Sequence, residues 1–156
     1  MWEAIISQQT HLQTCSATVS RCFICLLPPL PEVEETLQRL QAYPYRLAVF
    51  TKGELQDQEN KLHRSGLGKF FSHVEITSDK TEVEFQQLCE HLGILPNELL
   101  MVGNSLKSDI APALTIGAWA IHIPFHVTWQ LEHFEDIKHE RLLKIEHFSE
   151  IIELLK

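Results

Sequence analysis

Apolar positions along this chain alternate between two spacings. Val33, Leu37 and Leu40 recur at helical intervals, and Pro31 with Glu32, Glu34 and Glu35 suits the first turn of that helix. Tyr43-Pro44 closes it. Arg46 to Phe50 is a short β-prone run ending at Thr51-Lys52-Gly53. A helix from about Glu54 to Ser65 follows, stopped by Gly66 and Gly68. His73 to Thr77 reads as a strand, and Phe85, Leu88, Cys89 and Leu92 mark a helix closed by Gly93. Leu99 to Val102 is a buried strand running into Gly103. Leu106, Ile110, Ala113 and Leu114 predict a fourth helix closed by Gly117, and Ala118 to Ile123 a fifth apolar run. The tail predicts a helix, a short strand and a last helix carrying Phe148, Ile151, Ile152 and Leu155.

Helices and apolar runs that alternate in this way imply βα units and a parallel sheet covered on both faces. Residues 1–27 break the pattern: apart from the apolar stretch at 22–27, they show no period. The chain therefore divides into an atypical N-terminal segment, 1–27, and a core domain, 28–156.

The chain's 156 residues are enough for one domain with a real core. A net charge of −8 speaks against nucleic acid as a partner, because an acidic chain gains nothing from a phosphate backbone. No apolar run has the length to span a bilayer, and the N-terminus lacks the basic start of a signal peptide. Cys15, Cys22, Cys25 and Cys89 are expected to be free thiols in a reducing compartment, with the cytoplasm as the default. Cys22-x-x-Cys25, with Cys15 and His11 nearby, could suggest a small zinc site, but a buried apolar strand explains the run better. His122 is expected to be a satisfied core residue, and Trp119 to pack in the core. Phe125 and Trp129 are expected to pack, although both could line a pocket mouth.

Ligands of open α/β sheets sit at the carboxyl ends of the strands. The residues that end these strands are Thr51, then Ser78-Asp79-Lys80-Thr81, then Gly103-Asn104-Ser105, with Asp109 in the next helical turn. A hydroxyl, an ammonium and a carboxylate-amide pair would converge on one edge.

The series FTKG, SDKT and MVGNSLKSD, followed by IGAWAIHIP, resembles motifs II, III and IV of the haloacid dehalogenase (HAD) superfamily, in order and over roughly residues 31–155. The resemblance implies a three-layer, Rossmann-like α/β core. It also implies magnesium-dependent hydrolysis of a small phosphoester through an aspartyl-phosphate intermediate. Thr51 matches the hydroxyl that bonds a phosphoryl oxygen, and Lys80 the motif III lysine. Asp109 matches the acid that helps hold magnesium, and Asn104 stands where many relatives have another Asp. Lys52 and the backbone around Gly53 and Gly103 would add phosphate donors.

One part of the pattern is missing. The family's first motif resembles Asp-x-Asp at the end of an N-terminal strand, its first Asp attacking phosphorus. The four aspartates here are Asp57, Asp79, Asp109 and Asp136, all after Thr51. Asp109 and Asn104 alone would leave magnesium mostly hydrated and weakly held. The expectation is a truncated core without motif I and without most of the cap, inactive as this chain. The alternatives are a non-catalytic remnant that binds phosphate, metal or a partner, or an incomplete gene model of an active phosphatase. A missing central strand would leave a gap or unpaired edges, with a dimer through an exposed sheet edge as one consequence. The 22–27 run could fill that slot, or its two neighbours could close up directly. The ligand class implied is a small phosphorylated metabolite.

Overall fold

The computed structural model describes residues 21–25, 31–124 and 137–155. Six strands are β1 (Arg21–Cys25), β2 (Tyr45–Lys52), β3 (His73–Thr77), β4 (Leu99–Gly103), β5 (Trp119–His122) and β6 (Leu142–Lys144). The helices are α1 (Pro31–Leu40), α2 (Leu55–Ser65), α3 (Glu82–Leu92), α4 (Ala111–Thr115) and α5 (Ile151–Leu154). All pairings are parallel, in the order β3-β2-β1-β4-β5-β6.

The central slot is filled. β1 pairs with β2 on one side (Phe23 opposite Leu47) and with β4 on the other (Phe23 opposite Leu100). There is thus no gap, and β2 and β4 do not close on each other. Cys22 and Cys25 lie on this strand, whereas His11 and Cys15, like Leu26 and Leu27, lie outside the described residues.

Strand side chains point alternately to opposite faces, so β2 and β4 each feed two cores. Leu47, Leu100, Val102 and Ile121 pack under Val33, Leu37 and Leu40 of α1 and under Ile151 and Ile152 of α5. Ala48, Phe50, Leu99 and Met101 pack under Phe85, Leu88, Cys89 and Leu92 of α3. The sheet is therefore the middle layer of three. Full burial of a Leu or Phe side chain is worth about 1.5–3 kcal/mol, so each face carries its own substantial driving force.

α2 differs from the other helices: none of its residues is buried, and Leu55 is exposed. The helix expected from Leu106 to Gly117 is also altered. Leu106–Ile110 forms a π-turn, with the Ile110 N–H donating to Ser105 O at 3.1 Å, before α4 begins. The tail shows β6, a 3-10 turn at Phe148–Glu150 and then α5. The helix expected before β6, together with Phe125 and Trp129, falls outside the described residues. Trp119 is only partly buried, lying against the main cluster with Arg141 over its ring at 5.8 Å.

The strand order reverses between β1 and β4. The carboxyl edge at such a reversal is where open α/β sheets take their ligands.

Candidate functional site

Because the sheet is parallel, the ends of β2, β3 and β4 share one edge. Thr51 pairs with Ile76 and Lys52 with Thr77 in the last rungs of β2–β3. The Gly53 N–H donates to Thr77 O at 3.0 Å, which ties the loop after β2 to the end of β3. Gly53 has φ 146°, a conformation that disfavours any other residue.

Lys80 follows β3 and reaches inward. Its ammonium Nζ donates to Asp109 Oδ1 at 2.7 Å and lies 5.2 Å from the centre of the Phe50 ring. Phe50 in turn meets Phe85 edge-on at 4.9 Å. Lys80 and Asp109 are only 5% and 2% exposed. An isolated charge at such depth would be untenable, so each is there because the other is.

Asp109 is placed by the π-turn. The second oxygen, Oδ2, accepts the Ser105 N–H at 3.1 Å, and Ser105 Oγ accepts the Ser108 N–H at 3.2 Å. Gly103 makes the approach possible: a Cβ there would lie 2.6 Å from Asp109 Cβ and 2.5 Å from its Oδ2. Both carboxylate oxygens are thus engaged by protein donors.

Thr51 is buried, and its hydroxyl donates to Gln58 Oε1 at 3.0 Å. Gln58 folds back from α2 against Gly53, where its Nε2 would sit 2.6 Å from an added Cβ. Nothing in the hydrophobic pattern singles Gln58 out. Lys52 lies outside, exposed, with Nζ 2.7 Å from Asp79 Oδ1. The Lys52 hydrogen bond, then the Lys80 N–H, hold the Asp79 carboxyl below the usual carboxylate range. The backbone carbonyl oxygen of Asn104 lies 3.1 Å from Nε2 of the partly buried His122, as an acceptor.

The expected residues therefore collect on one edge as three bonded sets: Lys80 with Asp109, Thr51 with Gln58, and Lys52 with Asp79. Among the described residues, the buried polar and charged side chains are Thr36, Thr51, Lys80 and Asp109, and none has an unsatisfied buried polar atom.

A magnesium ion asks for near-octahedral oxygen ligands, usually including one or two carboxylates. Among the described residues the single buried carboxylate, Asp109, already holds an ammonium at 2.7 Å and an amide at 3.1 Å. Among the described residues no group of three or more His, Cys, Asp or Glu side chains is arranged to hold a metal ion. The described residues do not fit a firmly held magnesium ion.

An open parallel α/β sheet with a switch point, and with Thr51, Lys80 and Asp109 gathered at its carboxyl edge, defines a Rossmann-like core. The chain belongs to the haloacid dehalogenase-like hydrolases, whose family model matches residues 6–117. That match starts upstream of residue 31 and spans β1. Glyceraldehyde 3-phosphate phosphatase of Methanothermobacter thermautotrophicus is 35% identical over 109 residues, covering 66% of this chain and 48% of that protein. N-acylneuraminate-9-phosphatase of Mus musculus is 30% identical over 77 residues, covering 46% and 31%. A haloacid dehalogenase-like family hydrolase from Xanthomonas campestris superposes with a TM-score of 0.70 at 29% identity, over 80% of this chain and 54% of that one. The chain spans about half the length of the first of these curated relatives. No described helix is long and apolar enough to cross a membrane.

Proposed function

We propose that this chain is a HAD-like hydrolase relative that takes a small phosphoester at its carboxyl edge without turning it over by itself. One observation carries the reading: the central strand β1 reads RCFIC and is followed by Leu26-Leu27-Pro28-Pro29-Leu30, with no carboxylate. By resemblance, the attacking Asp belongs at the end of that strand. An aspartyl-phosphate route needs a carboxylate oxygen aimed at phosphorus. Asp109 has both oxygens engaged, and Asp79 is held by Lys52.

What remains suits binding more than chemistry. The Thr51 hydroxyl can turn from Gln58 to a phosphoryl oxygen. Lys52, exposed beside Gly53, can offer an ammonium, and Lys80 adds positive charge from below. Phosphatase relatives act on small phosphorylated metabolites, which makes that ligand class the natural one to test.

The test is an assay with p-nitrophenyl phosphate and magnesium, alongside a phosphate titration followed by amide shifts at Thr51 and Gly53. The expected result is no turnover above the protein-free rate, with saturable shifts. Turnover that disappears in Asp109→Ala would overturn the inactive reading, and absence of any shift would overturn the binding one.

A second reading, a partner-binding role, is favoured by the sheet edge. β3 pairs on one side only among the described strands, and Val74 on it is exposed. A dimer through that edge would appear as a doubled mass in solution and would be lost in Val74→Lys.

A further inference from the structure

The poor fit to magnesium has a positive counterpart. A buried carboxylate must be balanced, and here the balance is already supplied by a cation that belongs to the chain. We infer that the Lys80 ammonium stands in for a divalent ion at Asp109, so that this edge is assembled without a metal.

The geometry supports this from four directions. The ammonium approaches Oδ1 at 2.7 Å, a charge-assisted distance, in a site that is almost fully closed. The other oxygen is held by the Ser105 N–H, so a metal would have to displace a bond on either side. Gly103 packs so tightly on the carboxylate that the protein, not water, covers that face. Phe50 covers the ammonium, which leaves an apolar ring where a hydrated ion would want water.

The electrostatics point the same way. A divalent ion placed beside Asp109 would meet a fixed ammonium bonded to the same carboxylate, with a single negative charge to set against both. Built metal sites do the reverse, surrounding the ion with more negative oxygens than positive groups. The inference concerns assembly of the edge and does not depend on whether the chain turns over a phosphoester.

The experiment is a magnesium titration of the full chain followed by amide resonances and by melting temperature. Sodium chloride at matched ionic strength is the control. At roughly 10 mM magnesium, above the affinity range of even weak built calcium sites, the wild type should show no saturable shift at Gly103, Ser105 or Asp109 and no rise in melting temperature. The variant Lys80→Met removes the ammonium and keeps the apolar stem. Its melting temperature should now rise with magnesium and not with sodium. A saturable shift in the wild type with an affinity tighter than about 1 mM, within the range of weak extracellular calcium modules, would overturn the inference. So would a folded Lys80→Met that gains nothing from magnesium. If that variant does not fold, the wild-type titration decides alone.

Discussion

Lys80 Nζ and Asp109 Oδ1 lie 2.7 Å apart inside the protein, one residue following β3 and the other following β4. This contact bridges the switch point of the sheet from one side of β1 to the other. Removing one partner leaves a buried charge uncompensated, which costs about 3–5 kcal/mol. Lys80→Met and Asp109→Leu should each lose stability of that order in urea unfolding. The double variant should recover much of it, because an apolar pair of similar volume carries no desolvation cost. Equal and additive losses would show that the pair does not act as a unit.

Gly103→Ala tests the packing around the carboxylate. The added methyl would meet Asp109 at 2.6 Å. Overpacking of this kind costs about 1–3 kcal/mol. Gly93→Ala is the comparison: Gly93 has φ 65° with nothing within 4 Å, so its cost is backbone strain alone. Strain of that type is about 1 kcal/mol, and the Gly103 variant should melt lower.

Thr81 begins α3 with a capping box: its hydroxyl accepts the Val83 N–H at 3.3 Å, and Glu84 returns to the Thr81 N–H at 2.8 Å. The bond from the Thr81 hydroxyl, then the one from its N–H, hold the Glu84 carboxyl below its ordinary value. Thr81→Ala should destabilise by about 1 kcal/mol in thermal unfolding. Because Thr81 adjoins Lys80, Lys80→Ala and Thr81→Ala should be non-additive.

Burial pushes the Cys89 thiol up to about 11 from an ordinary 9.0. The folded chain keeps this proton where the unfolded chain gives it up. Its contribution to stability is therefore complete below pH 9 and is lost as pH rises from 9 towards 11. Denaturant midpoints should fall across that window, and Cys89→Ala should flatten the fall. At pH 8, peptide-resolved thiol labelling should mark Cys89 far more slowly in the folded chain than in urea.

Much of the fold is legible from spacing because the elements obey local rules. Helix α3 runs from a Thr-x-x-Glu cap to a left-handed Gly93, and β4 is five apolar or small residues, all buried. The order Thr51, Lys80, Asp109 is legible as well, since each follows a strand. What is hidden depends on contacts distant in sequence or on a local departure from the ideal helix. The π-turn at Leu106–Ile110 has ordinary helical spacing, yet it sets the angle of Asp109. Gln58 reads as one polar residue among many on α2, and only the fold-back onto Gly53 makes it the partner of Thr51. Lys80 alone reads as a solvated lysine at a helix start. Its burial follows from Asp109, 29 positions on. Residues 21–25 have a strand's composition, but nothing local says that they lie at the centre of the sheet.

That central position has a consequence for how the chain comes together during synthesis. β1 leaves the ribosome before the other described strands, yet one of its two edges waits for β4, since Cys22 pairs with Leu99 and Cys25 with Val102. Until those residues are made, an apolar strand stands with an open side. Such long-range parallel pairing is slow and exposes the nascent chain to wrong partners. The step that docks β4 on β1 also brings Gly103 and Asp109 to Lys80, so covering of that open edge and burial of the ion pair should be a single event, with β5 and β6 added outside β4.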